Sequence, residues 1–279
     1  MRDVASERDE RGITIRRVGV RDIHLPVMIR EKAGGHARVT GVFEASVELA
    51  HHERGTHMSR FVEILSRWSR RAVALPEMHE MLTEVRTRFD AWAASVTLDF
   101  TYFLAKRSPA TDLPCQLDYE CSFVASMVDE SFDFQLGVEV PIITLCPCSK
   151  EISAFGAHSQ RAELRVSLRT SGEQIIWLED LIPLLERQGS EQVYPMLKRA
   201  DEKLVTEQSY ENPKFVEDVV RDSVLALRGL PEAEWFSVEC ESFESIHNHS
   251  AYASTEWPQS RPQENGCAPE TDRPRGQRS

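Results

Sequence analysis

A run of alternating residues between Phe132 and Val140 constrains the fold more than any other stretch of this chain. The apolar positions alternate with Asp133, Gln135, Gly137 and Glu139, and they are Phe132, Phe134, Leu136, Val138 and Val140. This period of two predicts a β-strand with one buried face and one wet face. The same alternation returns at Leu164, Val166 and Leu168.

The first half of the chain predicts the order β-β-α-α-β-β. We expect strands at about 16–30, 37–50, 94–106 and 115–128. Thr56 is placed to cap a first helix, and a second helix should begin near Pro76, since proline suits the first turn. The buried stripe of the first helix would consist of Met58, Phe61, Ile64, Leu65 and Trp68.

The second half repeats nearly the same order without detectable residue identity. After the two alternating strands, it predicts helices at about 190–207 and 213–228 and a strand from Trp235 to Ser242. Asn212 and Pro213 would supply the cap and the first-turn proline of the second helix.

Two tandem α+β units, residues 13–129 and 130–254, are therefore our interpretation, and one larger α+β domain is the alternative. The polar residues 1–12 predict a flexible N-terminus. Residues 255–279 are rich in Pro and Gln and predict a disordered tail.

Composition narrows the class of protein. The 279 residues are 41% hydrophobic, enough for a core, and the formal net charge is −12. This acidity argues against binding of nucleic acid, which needs a basic surface. No apolar run approaches the ~20 residues that span a membrane. A charged N-terminus without a secretory signal and six cysteines predict a reduced, cytoplasmic location.

The strongest chemical signal lies in the segment 145–161. Cys146 and Cys148 flank Pro147, and His158 follows in a polar loop. Thiolates beside an imidazole suit a Zn²⁺-like ion, and the spacing is not that of a closed structural zinc module. The segment predicts either a catalytic metal site with an open position or a cysteine nucleophile, against the alternative of two structural cysteines.

A second cluster comprises Glu244, His247 and His249. The two histidines, two residues apart, would share a face if this segment were a strand. Such a set could carry acid and base catalysis near neutral pH or supply further metal ligands. The alternative is a solvated polar loop. Glu202 and Glu217, by contrast, fall on predicted helices, where their spacing alone indicates only solvated acidic faces.

Eight motifs together resemble the type IB GTP cyclohydrolases, in the order of that family and across about residues 9–254. They are Arg11-Gly-Ile, Val18-Gly-Val, Arg54-Gly-Thr-His-Met-Ser-Arg-Phe61, Leu145-Cys-Pro-Cys-Ser-Lys-Glu-Ile-Ser153, Gly156-Ala-His-Ser-Gln-Arg161, Asp201-Glu-Lys-Leu-Val-Thr-Glu207, Asn212-Pro-Lys-Phe-Val-Glu-Asp218 and Glu244-Ser-Ile-His-Asn-His249.

The resemblance implies two tandem tunnelling-fold (T-fold) units, each an antiparallel sheet packed on helices. It also implies a homotetramer with active sites between subunits. The reaction would convert GTP and water to 7,8-dihydroneopterin triphosphate and formate, the first step of tetrahydrofolate synthesis. The cofactor would be a divalent metal ion, with zinc, manganese and iron all compatible.

The resemblance also assigns roles to individual residues. Cys146, His158 and Glu202 would bind the metal, and Cys148 would lie over C8 of the substrate. Glu217 would hold the guanine by accepting two hydrogen bonds. Glu244, His247 and His249 would carry acid and base steps. The triphosphate needs cationic partners, and the sequence does not choose among the candidates, which are Lys150, Arg161, Lys203, Arg60 and Lys214.

Three other functions are alternatives to this one. An archaeal-type relative would form a cyclic phosphate of dihydroneopterin from the same substrate. The nitrile reductase of queuosine synthesis is a metal-free T-fold enzyme that uses NADPH, but its characteristic motif is not evident here. The third rival is a metal- or purine-binding protein without catalytic activity.

Overall fold

The computed structural model describes residues 5, 7–172 and 174–258. Ten strands in this part of the chain form one sheet: β1 (Ile15–Arg30), β2 (His36–Leu49), β3 (Ala72–Val73), β4 (Ala93–Arg107), β5 (Pro114–Val128), β6 (Ser131–Leu145), β7 (Ser159–Thr170), β8 (Glu191–Gln192), β9 (Ala233–Ser242) and β10 (Ala251–Trp257). The helices are α1 (Met58–Trp68), α2 (Leu75–Phe89), α3 (Pro147–Ile152), α4 (Leu178–Glu186), α5 (Arg199–Glu211) and α6 (Val216–Arg228).

The strand order in space is β10-β9-β7-β6-β5-β4-β2-β1-β3, with β8 beside β6. Neighbouring strands are antiparallel except for the short parallel contact of β3 with β1. The sheet therefore contains one half built from β1, β2, β4 and β5 and another built from β6, β7, β9 and β10. The predicted α+β class and the repeated order of its main elements are confirmed.

The alternating strand predicted between Phe132 and Val140 is confirmed as the first part of β6. Leu136, Val138 and Val140 are buried, whereas Glu139 between them is only partly covered. The buried side chains of β6 belong to one core cluster with the apolar sides of α2, α4 and α6. Hydrophobic burial on this face is the main force that holds helices and sheet together.

The first helix of the first half differs slightly from its prediction. Phe61, Ile64, Leu65 and Trp68 are buried as expected, but Met58, the first residue of α1, is 42% exposed. His57, rather than Thr56, occupies the N-cap position, and no side chain caps the helix. The second helix begins beside Pro76 as predicted.

The helix predictions for the second half differ from the structure in several places. The helix expected at 190–207 begins only at Arg199, because Pro195 lacks a backbone N–H and would interrupt a helix there. Of the residues before it, Glu191–Gln192 form β8, and the helices α3 and α4 were not predicted. Asn212 ends α5 and does not cap α6, whose N-cap is Phe215.

Both ends of the described chain carry more structure than their composition suggested. The strand β10, which no sequence pattern predicted, includes residues 255–257 of the predicted tail 255–279. Residues 259–279 lie outside the described residues. Within the predicted flexible segment 1–12, the Asp9 N–H donates to the carbonyl of His52 at 2.9 Å. Residues 1–4 and 6 are outside the described part. Among the described residues, none of the helices α1 to α6 is long and apolar enough to cross a membrane.

Candidate active site

Cys146 and His158 are brought together by the connection from β6 to β7. The last residue pair of these strands is Leu145 with Ser159, so the two candidates are the first residues beyond the paired strands. The Cys146 N–H donates to the His158 carbonyl at 3.1 Å. Gly156 has a φ of 101°, a conformation that favours glycine, where the chain returns from α3 towards β7.

The two thiols of the Cys-Pro-Cys segment lie in different environments. Cys146 is the N-cap residue of α3, and its half-buried Sγ accepts a hydrogen bond from the Ser149 N–H at 3.4 Å. Pro147 occupies the first turn, where a missing N–H costs nothing. Cys148 is exposed. Cys146 is thus held in a fixed position, while Cys148 is open to a ligand.

Glu244 reaches the same place from the end of β9. One of its oxygens, Oε2, lies 3.6 Å from His158 Nδ1, and both side chains are largely covered. The other, Oε1, accepts from the Ser242 hydroxyl at 2.9 Å. The pairing of β9 with β7 aligns Ser242 with Ala162, which explains how a residue so distant in sequence meets the histidine.

His247 and His249 lie in the loop between β9 and β10, so the segment is not the strand in which the two histidines would share a face. Both side chains are exposed, and their rings stack with centroids 5.0 Å apart. The His247 N–H donates to the Glu244 carbonyl at 3.3 Å. The loop therefore carries two exposed imidazoles and begins beside Glu244, the residue whose carboxylate faces His158.

Glu217 is the second residue of α6 and is exposed. The segment before it is bound to the end of β6, since the Lys214 N–H donates to the Leu145 carbonyl at 3.1 Å. The Asn212 side chain holds the same segment by donating to the carbonyls of Gly189 and Ser190. These contacts bring the start of α6 towards the Cys146 end of the sheet.

Glu202 is not assembled with the other predicted metal ligands. Lys150 of α3 donates to the Tyr210 carbonyl and lies over the Tyr210 ring, which ties the Cys146 loop to the C-terminal end of α5. Glu202 lies eight residues earlier on α5, about 12 Å along the helix axis at 1.5 Å per residue. Among the described residues, no three His, Cys, Asp or Glu side chains are grouped so that they could hold a metal.

Asp201, the neighbour of Glu202 on α5, does not lie on a solvated face. It is fully buried and accepts hydrogen bonds from the backbone of Ala110, Thr111 and Lys198, each at 2.8 Å. Burial alone would raise the pKa of this carboxyl, but these bonds and one from the Thr111 hydroxyl outweigh it, so the pKa is lowered. Asp201 thereby anchors the start of α5, and with it Glu202, on the β4–β5 turn.

The candidate triphosphate partners differ in availability. Lys214 is paired with Asp222 at 2.8 Å, and Lys203 is paired with Glu207. Arg161, next to Gln160 on β7, is exposed and forms no ion pair with any described residue. Arg60 lies on α1, the helix that follows β2. Because three antiparallel pairings separate β2 from β6, the two strands run in opposite directions, and their C-terminal ends lie at opposite edges of the sheet.

Solved structures support the tandem fold. Uricase from Arthrobacter globiformis, a T-fold protein, is similar over 96% of this chain and 99% of its own chain, with a TM-score of 0.55 and 9% identity. A urate oxidase mutant described as "highly active BTUO mutant P287G" gives a TM-score of 0.54 over 87% of this chain and 99% of its own, at 8% identity. At such low identity, this likeness concerns the fold alone.

Sequence comparison identifies closer relatives. The family model described as "Type I GTP cyclohydrolase folE2" matches residues 1–253. The protein named GTP cyclohydrolase FolE2 of Syntrophotalea carbinolica is 49% identical over 258 residues, which is 92% of this chain and 96% of the relative. The protein of the same name from Geobacter sulfurreducens is 46% identical over 256 residues, which is 92% of this chain and 98% of the relative. The chain belongs to the FolE2 family of type I GTP cyclohydrolases.

Proposed function

We propose that this chain is a metal-dependent GTP cyclohydrolase that converts GTP and water to 7,8-dihydroneopterin triphosphate and formate. This reaction is the first step of tetrahydrofolate synthesis, and we expect it to take place in the cytoplasm. The observation that carries the proposal is the approach of Cys146, His158 and Glu244 at one end of the sheet, in a chain of this family.

The donor set fits a divalent ion of the zinc, manganese or iron type. Cys146 offers a sulfur and His158 a ring nitrogen from backbone positions that are hydrogen-bonded to each other. We propose Glu202 as the third ligand on the strength of the family motif, since the described residues do not themselves group three such side chains. When bound, such an ion lowers the pKa of water and polarises the bond under attack.

The remaining residues divide into proton carriers and a thiol. Opening of the purine ring at C8 requires a proton on the departing ring nitrogen, and release of formate requires further proton transfers. His247 and His249 are exposed and adjacent to Glu244, so these three groups can exchange protons with a substrate that enters from solvent. Cys148, the exposed thiol of the pair, is proposed to lie against C8.

Substrate binding is proposed to rest on Glu217 and on Arg161. A carboxylate can accept hydrogen bonds from both the N1–H and the 2-amino group of guanine, which selects guanine over adenine. Arg161 has no ion-pair partner in the described part of the chain and follows His158 closely, so it is our choice for the triphosphate.

We further propose that the enzyme works as a homotetramer with sites between subunits. Several large apolar side chains beside the candidate site are exposed in a single chain, and a neighbouring subunit would cover them. They are Ile152 at 85%, Phe155 at 99% and Ile246 at 65% exposure. Sedimentation equilibrium of the purified protein should therefore give four times the chain mass of 31.8 kDa.

Formate release from GTP by the purified protein tests the function. We expect turnover that stops on chelation and returns with Mn²⁺ or Zn²⁺, together with a product identified by mass spectrometry as dihydroneopterin triphosphate. A cyclic phosphate product would favour the archaeal-type relative. A fully metallated protein that leaves GTP unchanged would contradict the proposal and favour the non-enzymatic alternative.

A further inference from the structure

We propose that Gln160 fixes the tautomer and the direction of the His158 ring, so that Nε2 is the nitrogen offered to the metal. This inference rests on the proposed role of His158 as a metal ligand. Gln160 is then a positioning residue, which acts on the ion only through the histidine.

The two ends of the Gln160 amide face different partners. Its Oε1 lies 2.9 Å from His158 Nδ1. Its Nε2 donates to the Thr144 hydroxyl oxygen at 3.1 Å and to Glu244 Oε1 at 3.4 Å. A carbonyl oxygen can only accept, so Nδ1 must carry the proton in this contact. A neutral imidazole protonated at Nδ1 has its free lone pair on Nε2.

A directed chain of hydroxyl groups fixes the orientation of that amide. The Glu244 carboxylate only accepts, so the Ser242 hydroxyl donates to it at 2.9 Å. Ser242 must then accept from the Thr144 hydroxyl, 2.9 Å away, which leaves a Thr144 lone pair for Gln160 Nε2. Rotating the amide by half a turn would set its oxygen against the Glu244 carboxylate.

The network is held by buried groups. Thr144 is 2% exposed and Ser242 is fully buried, so neither can exchange its partner for solvent at low cost. The His158 backbone is also fixed, because its N–H donates to Ser149 Oγ at 3.0 Å. Partners behind a metal-binding histidine commonly change metal affinity by about 10- to 100-fold when removed.

Metal affinity of matched variants provides the first test. Gln160→Leu removes both ends of the amide, and we expect Co²⁺ and Zn²⁺ binding weakened by about 10- to 100-fold. Gln160→Glu keeps an acceptor for Nδ1–H and loses the donor, so its affinity should be closer to that of the wild type although its thermal stability falls. Gln135→Leu, a half-buried glutamine on β6 away from the site, is the control.

Nitrogen-15 NMR of the metal-free protein provides the second test, on samples labelled in the histidine rings. The His158 signals, assigned by their loss in His158→Ala, should show a protonated Nδ1 in the wild type and a shift towards protonated Nε2 in Gln160→Leu. A wild-type ring protonated at Nε2 would overturn the inference, as would a Gln160→Leu variant with unchanged metal affinity. Neither result requires GTP turnover, so failure of the proposed reaction is recognised separately.

Discussion

Lys106 of β4 and Glu186 of α4 form a buried ion pair that joins the first half of the chain to the second, with side chains only 7% and 4% exposed. The Glu186 carboxylate also accepts from the Tyr119 hydroxyl at 2.8 Å. Lys106 donates in addition to Gln192 Oε1 and to the Val193 carbonyl, at 3.1 and 3.0 Å. Burial and the nearby carboxylate raise the pKa of Tyr119.

Removal of one partner of this pair should destabilise the protein strongly. We expect Lys106→Met to lower the free energy of unfolding by about 3–5 kcal/mol, because Glu186 is left buried without its cation. The double variant Lys106→Met/Glu186→Leu should recover much of that loss. Urea denaturation measures both, and a double variant no more stable than the single one would contradict the expectation.

Asp201→Asn should destabilise the protein in a pH-dependent way. The folded-state pKa of Asp201 is lowered, so its ionised form stabilises the fold at pH values above the unfolded-state pKa of about 3.9. This contribution is lost as the pH falls through the lower folded-state pKa. The melting temperature should therefore drop by several degrees at pH 7, and the difference from the wild type should narrow in acid. Asp118→Asn, an exposed aspartate on β5, should show neither effect.

The two thiols of the active-site loop should respond differently to removal. Cys148→Ala should lower formate release by a factor on the order of 100 or more, since a group in contact with the reacting atom is lost, while bound metal persists. Cys146→Ala should lose both metal and activity. Metal analysis by mass spectrometry separates these cases, with Cys115→Ala as a control. Loss of metal from Cys148→Ala alone would reverse the assignment of the two thiols.

Glu217→Gln should weaken recognition of guanine. Loss of hydrogen bonds to a charged group costs about 1.5–3 kcal/mol, roughly a 10- to 150-fold decrease in kcat/KM for GTP. Inosine triphosphate lacks the 2-amino group, so the wild type should discriminate against it and the variant much less. Glu63→Gln, on the exposed side of α1, should keep the wild-type preference. Unchanged discrimination in Glu217→Gln would exclude this residue as the guanine anchor.

Much of the fold was predictable because the information is local. Alternation along a strand is visible in nine residues, as at Phe132–Val140, and does not depend on what the strand contacts. Helix boundaries were less accurate. The prediction ran a helix through Pro195, and the Asn212 side chain donates to the distant carbonyls of Gly189 and Ser190 instead of capping α6. The small and polar side chains of β10 gave little signal, and the pairing of this strand with β9 is what defines it.

The candidate site was predictable in part. Cys146 and His158 are close because one strand connection joins β6 to β7, so sequence spacing alone indicated their association. The approach of Glu244 depends on the distant pairing of β9 with β7, which no local pattern reveals. Roles for Glu202 and Glu217 came only from the family motifs. Gln160 was not predicted as a site residue, because its position beside His158 and not its residue type makes it relevant.

The turn between β5 and β6 has a consequence for how the molecule can come apart. Only Asp129 and Glu130 lie between the paired residues Val128 and Ser131, and the two strands remain paired as far as Cys121 and Val138. A protease that cut this turn would therefore leave one undivided particle, because the hydrogen bonds that hold the strands side by side survive the cut. Each half made separately would display a long unpaired strand edge and would tend to aggregate.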